Sequence, residues 1–152
     1  MISAYQVANY FLYKSHHDDT ARYTISPLKL QKLVYYAEAW YTTMNNNEEN
    51  LIKEDFEAWV HGPVVPSLYG KYREYGYHQI DKVDSEPLSS LSDKVKNFLD
   101  SIWEIYGHFE AKELEKLTHY EDPWKMARNG LPDYQQSNNI ITKQSMYDFY
   151  KN

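Results

Sequence analysis

The sequence contains no cysteine, which excludes a disulfide framework and any thiolate-bound metal. Glycine is scarce, five in 152 residues, and no glycine-rich loop of the P-loop or dinucleotide type can be assembled from it. Neither a GxSxG elbow nor an HExxH pair occurs, and no two histidines stand at helical ligand spacing. No apolar run approaches the length that crosses a bilayer. The opening MISAYQVANYF lacks the basic segment and apolar core of a signal peptide. A cytoplasmic location without membrane contact is therefore expected. Positive charge is also short: 16 Lys and Arg face 22 Asp and Glu, a formal net charge of −6. A surface of that sign repels phosphate backbones and disfavours nucleic acid as a partner. No internal repeat, low-complexity segment or domain boundary is visible. Neither a cofactor nor a metal is predicted.

What is present is aromatic surface. Tyrosine accounts for 16 residues, within a composition of 42% hydrophobic and 25% charged residues. That balance belongs to a folded globular chain, and 152 residues suit one domain with a sizeable core. Tyrosine has an apolar body and a polar tip. It serves a half-buried shell or an interface equally well.

The chain reads as a series of helices. Ser3 caps a first helix over about 4–13, with Gln6 completing a capping box and Ile2 placed to staple against Val7. Residues 15–25 read as a loop; His16, His17, Asp18 and Asp19 are poor metal ligands there because adjacent side chains on a loop are not preorganised. Ser26-Pro27 opens a second helix to about Met44. It is apolar nearly all round, the mark of a central buried helix. Lys29 and Lys32 interrupt it, as snorkelling side chains or as a functional basic spot. Residues 56–60 alternate as a strand, Phe56, Ala58 and Val60 against Glu57 and Trp59. Gly62-Pro63 breaks it. Pro66 or Ser67 starts a third helix, with Gly76 near its end. Residues 77–83 offer a second strand, and 84–90 a linker. Further helices follow at about 92–106, 110–117 and 122–128, with Asp122 as cap and Pro123 in the first turn. Thr142 caps the last, at about 143–150. The predicted fold is α+β and mainly α: a compact single domain spanning 1–152, with about six or seven helices around a central buried one and a small two- or three-stranded sheet.

Two stretches concentrate chemistry. In FEAWVHGPVVPSLYGKY (56–72), Gly62, Pro63 and Pro66 read as structural residues of a strand-to-helix corner. Trp59 faces away from Phe56 and Ala58; it either packs on a helix or stands as an aromatic anchor. In LTHYEDPWKMAR (117–128), His119 either satisfies local carbonyls at a helix end or lines a groove with Lys29, Lys32 and Trp59. A hydrolase would draw on His61 or His119 as base, Glu57 or Asp122 to orient it, and Ser67 as nucleophile. Such a site needs a geometry that spacing alone does not provide.

Three blocks in order, SPLKLQKLVYYAEAWY (26–41), EAWVHGPVVPSLYGKY (57–72) and LTHYEDPWKMAR (117–128), resemble the Panacea domain family, also described as SocA/GepA-like and phage-associated. The likeness covers about residues 3–128, leaving a C-terminal extension with a helix at about 142–151. It implies a bacterial or phage protein-binding module acting as an antitoxin, which neutralises a toxin from a neighbouring gene by direct contact. At least one member presents its toxin to a protease, so an adaptor role is a variant. A phage accessory protein that binds a host factor is the alternative to an antitoxin, and a hydrolase using His119 or His61 a further one. Lys29, Lys32, Tyr35 and Tyr36 match the family's central helix. Trp59, Gly62, Pro63 and Tyr69 match its middle block; His119, Pro123 and Trp124 match its last. The candidate partner-binding residues are thus Lys29, Lys32, Tyr36, Trp59, His61, Tyr69, His119 and Trp124, with Gly62, Pro63, Pro66 and Pro123 structural and no catalytic residue assigned.

Overall fold

A computed structural model describes residues 1–18 and 23–152. Among the described residues there are eight α-helices and three short strands: α1 (Ala4–His16), α2 (Pro27–Met44), β1 (Phe56–Trp59), β2 (Gly62–Val64), α3 (Pro66–Tyr72), α4 (Ser85–Ser89), α5 (Asp93–Tyr106), α6 (Ala111–Tyr120), α7 (Asp122–Arg128), β3 (Ile140–Ile141) and α8 (Lys143–Tyr150). The fold is α+β and mainly α, as the periodicity predicts.

Local chemistry starts most of these helices where the sequence places them. Ser3 and Gln6 form a full capping box on α1. The side chains of Ser26, Ser92 and Thr142 cap α2, α5 and α8. Every residue of α2 from Lys29 to Ala39 is buried. Helices α1, α3, α5, α6 and α8 pack around it. Burial all round explains why its sequence shows no polar stripe.

Four expectations are corrected. Gly62-Pro63 does not end the strand at a corner. The chain turns at Val60-His61, and Gly62–Val64 returns as β2, pairing Trp59 with Gly62 and Glu57 with Val64. Proline is tolerated because β2 lies at the edge of the sheet, whose order is β2-β1-β3. Residues 77–83 form no strand; Ile80 instead donates its N–H to the Ile25 carbonyl. The second neighbour of β1 is β3, antiparallel, with Phe56 opposite Ile141. Residues 84–90 are not a linker but carry α4, whose Pro87 is buried. The first helix runs three residues longer than expected, to His16. There His16 Nε2 bonds the Ile80 carbonyl and His17 Nδ1 the Tyr13 carbonyl. Asp19 lies outside the described residues.

Candidate functional site

The β1–β2 hairpin is the centre of the site, and its inward grip comes from side chains. Each carbonyl along its two edges needs a donor, because buried backbone oxygens left unpaired cost stability. On the β1 side, Arg128 donates from Nη1 to the Ala58 carbonyl at 2.9 Å. Trp124 donates from Nε1 to the Trp59 carbonyl at 2.8 Å. Arg128 also reaches the Pro132 and Gln135 carbonyls, so one buried guanidinium ties three segments together. On the β2 side, Lys32 donates to the Pro63 carbonyl at 3.2 Å. Gln31 both accepts from the Val65 N–H at 2.9 Å and donates to the Val65 carbonyl at 3.2 Å. Its amide behaves as one more strand residue.

Lys32 passes directly under the turn. A Cβ on Gly62 would lie 2.5 Å from its Cε and 2.9 Å from Thr118 Oγ1, and Gly62 has φ +109°. Glycine is required there for both space and backbone. The lysine is fully buried. Burial pushes its pKa down to about 7, against a smaller opposing pull from Glu115. Lys29 is buried as well, donating to the Gly107 carbonyl at 2.6 Å. Burial brings it down to about 8, with Glu110 and Glu113 opposing. Neither lysine snorkels and neither forms a surface basic spot.

Outside the hairpin the geometry opens. His61 is exposed and its Nδ1 lies 2.7 Å from Glu115 Oε2. Lys112 reaches the other Glu115 oxygen at 3.1 Å. Burial works to raise the Glu115 carboxyl, but the bonds from His61 and Lys112 outweigh it and hold it below the usual range. Trp59 is half-buried; its Nε1 donates to Glu57 Oε1 at 2.8 Å. Its ring meets Tyr69 edge-on, centroids 5.0 Å apart. Tyr69, on α3, is exposed. His119 stacks on Trp124 at 4.0 Å. Burial lowers its pKa and Lys32 adds to that, against Glu115, Asp133 and the Val60 carbonyl.

The twelve residues singled out in the sequence therefore fall into two groups. Lys29, Lys32, Tyr36 and Trp124 are buried, as are Gly62, Pro63 and Pro123. Trp59, His61, Tyr69 and His119 are exposed or half-buried on the hairpin side, and Pro66 is exposed at the start of α3. Tyr36 donates to Glu121 Oε1 at 2.6 Å, and Tyr150 of α8 donates to the same oxygen at 2.8 Å. Burial raises the Glu121 carboxyl, with the two hydroxyls opposing. Glu121 rather than Asp122 occupies the cap position of α7, and its side chain is spent on these tyrosines instead of on a cap. Ser67 makes no hydrogen bond to either His61 or His119. Sequence reasoning missed Gln31, Arg128, Glu115 and Glu121. Arg128, at the end of DPWKMAR, carried the one usable signal: an arginine closing a short helix whose first turn holds Pro123 and Trp124.

Among the described residues, no group of three or more His, Asp or Glu side chains could hold a metal ion, and no helix is long and apolar enough to cross a membrane. The family model for SocA-like antitoxins, the Panacea domain, matches residues 30–125. That span contains the hairpin and the side chains gripping it except Arg128. Among curated proteins, the antitoxin SocA of Caulobacter vibrioides (strain NA1000 / CB15N) is 28% identical over 140 residues, covering 85% of this chain and 72% of that protein. No solved structure matches the chain. With well over half of its length matched by the family model, the chain belongs to the SocA-like antitoxin family built on the Panacea domain.

Proposed function

We propose that this protein is an antitoxin that neutralises a toxin from a neighbouring gene by direct contact, using the outer face of the β1–β2 hairpin and α3. The observation that carries this reading is the division of labour around the hairpin. Buried side chains from α2 and α7 fix its backbone, while Trp59, His61 and Tyr69 are left at the surface. A surface held rigid before encounter loses less conformational freedom on binding. Half-exposed aromatics on such a surface are the usual carriers of binding energy. The reading is a binding role rather than catalysis, and the encounter takes place in the cytoplasm. It treats residues 1–152 as one unit, because α8 lies beyond the matched span yet packs along α2 and shares Glu121 with it.

The test is co-expression. The neighbouring gene is induced alone and then together with this protein, growth is scored, and the pair is purified on a tag. Toxicity of the neighbour alone, rescue by this protein and co-purification are the expected results. A harmless neighbour with no co-purification refutes the antitoxin reading and leaves a host factor as the partner to seek. An adaptor role uses the same contact and would show as faster loss of the toxin in cells that hold the protease.

A further inference from the structure

We propose that Glu57, Trp59 and Tyr69 form a receptor for an arginine side chain presented by the protein partner. The proposal rests on the antitoxin reading for the partner's identity, but the site's chemistry stands by itself.

Glu57 and Trp59 are two residues apart on β1, so both side chains leave the same face of the sheet, opposite the buried Phe56 and Ala58. The indole N–H holds Glu57 Oε1 at 2.8 Å, in line with the edge of the ring. The second carboxylate oxygen has no hydrogen-bond partner among the described residues. No lysine, arginine or histidine among them forms an ion pair with Glu57. Lys71, on the same helix as Tyr69, is turned away: its ammonium sits 4.4 Å over the Tyr5 ring. Tyr69 closes the other side, edge-on to Trp59 at 5.0 Å. Tyr69 is itself exposed, and Trp59 is half-buried.

A carboxylate with no ion-pair partner among the described residues, beside a half-buried indole and an exposed tyrosine, is a cation site. The ring quadrupoles attract positive charge, and the carboxylate oxygen supplies its counter-charge. Arginine fits better than lysine. Its planar guanidinium can stack on the indole while its N–H fork meets the carboxylate, and it is less strongly hydrated than an ammonium. The formal charge of −6 on the whole chain favours approach of a basic partner surface. The grip of Trp124 and Arg128 on the Trp59 and Ala58 carbonyls fixes the strand that carries both Glu57 and Trp59, so the site needs no rearrangement to form.

The experiment titrates the full chain with Nα-acetyl-arginine amide and follows the indole N–H signals by ¹⁵N-resolved NMR. The Trp59 signal is identified by its loss in Trp59→Phe. A saturable shift of that signal is expected with the arginine amide, a weaker one with the lysine amide, and none with the uncharged citrulline amide. Glu57→Gln is expected to abolish the shift while the Trp103 and Trp124 signals keep their positions, which shows that the variant is folded. No saturable shift, an equal shift with citrulline, or an undiminished shift in Glu57→Gln overturns the site; an equal shift with lysine overturns the preference for guanidinium. Glu57→Arg is then placed in the co-expression assay, where loss of rescue is expected. Full rescue by Glu57→Arg overturns the assignment to the toxin contact with the antitoxin reading intact. A harmless neighbour refutes that reading alone, because the arginine titration does not depend on it.

Discussion

Replacing Lys32 by methionine should make this protein more stable near neutral pH. The side chain lies fully buried beneath the hairpin turn, where it donates to the Pro63 carbonyl. Moving an amine from its ordinary 10.5 to about 7 corresponds to about 5 kcal/mol, at about 1.4 kcal/mol per tenfold change. Methionine keeps the unbranched shape and removes the charge. It leaves the Pro63 carbonyl without its donor, which costs about 1–3 kcal/mol. The net expectation is a gain of about 2 kcal/mol at about pH 7.

The sign of the pH dependence is fixed by the direction of the shift. Between the folded value of about 7 and the ordinary 10.5, the unfolded chain holds a proton on Lys32 that the folded chain does not. Stability therefore rises with pH across that window, by up to about 1.4 kcal/mol per pH unit. The advantage of Lys32→Met should shrink accordingly and vanish near about pH 9. Lys29, also lowered, contributes the same slope to both proteins and cancels in their difference. Urea denaturation of parent and variant at several pH values between about 7 and 9 is the assay, below the range where unfolded tyrosines ionise. A difference that stays constant with pH, or a methionine variant less stable throughout, would show that burial does not disfavour the charged form of Lys32 and would refute the reasoning.

Gly62→Ala should destabilise by about 2–4 kcal/mol, since its Cβ meets Lys32 and Thr118 at a backbone angle that disfavours any side chain; denaturant midpoints read this directly, and a loss under 1 kcal/mol, about the size of an ordinary mutation, would contradict it. Arg128→Met should cost about 3 kcal/mol or more, because the Ala58, Pro132 and Gln135 carbonyls lose their common donor. Hydrogen exchange should then quicken at the 56–64 hairpin before it quickens in α2, and uniform quickening would argue against a local grip.

What the sequence made legible was what is encoded within a few residues. The caps at Ser3, Ser26, Ser92 and Thr142 and the burial of α2 are such features. The hairpin escaped because its turn, Val60-His61, carries none of the usual Asn-Gly or Asp-Gly signal, and because proline argued against a strand at residue 63. The third strand escaped because its partner lies some eighty residues away in sequence, and a short apolar pair such as Ile140-Ile141 has no period to read. Lys29 and Lys32 looked like surface charges. Their burial depends on the carbonyls of Gly107 and Pro63, which only the folded chain brings to them. The aromatic and charged residues of the site were visible as residue types. Which of them face the core and which face outward was a property of the packing.

The Gln31 amide paired with Val65 just past β2, together with Lys32 on the Pro63 carbonyl, has a consequence for how such a protein can change over generations. With the strand edges already occupied from within, the backbone at these positions offers no template to a passing chain. Recognition is left to side chains on the outer face, and these bear little of the folding energy. Substitutions at Glu57, His61 or Tyr69 can therefore be sampled freely without endangering the scaffold. A lineage could retarget the same framework to a new adversary by altering three or four outward letters.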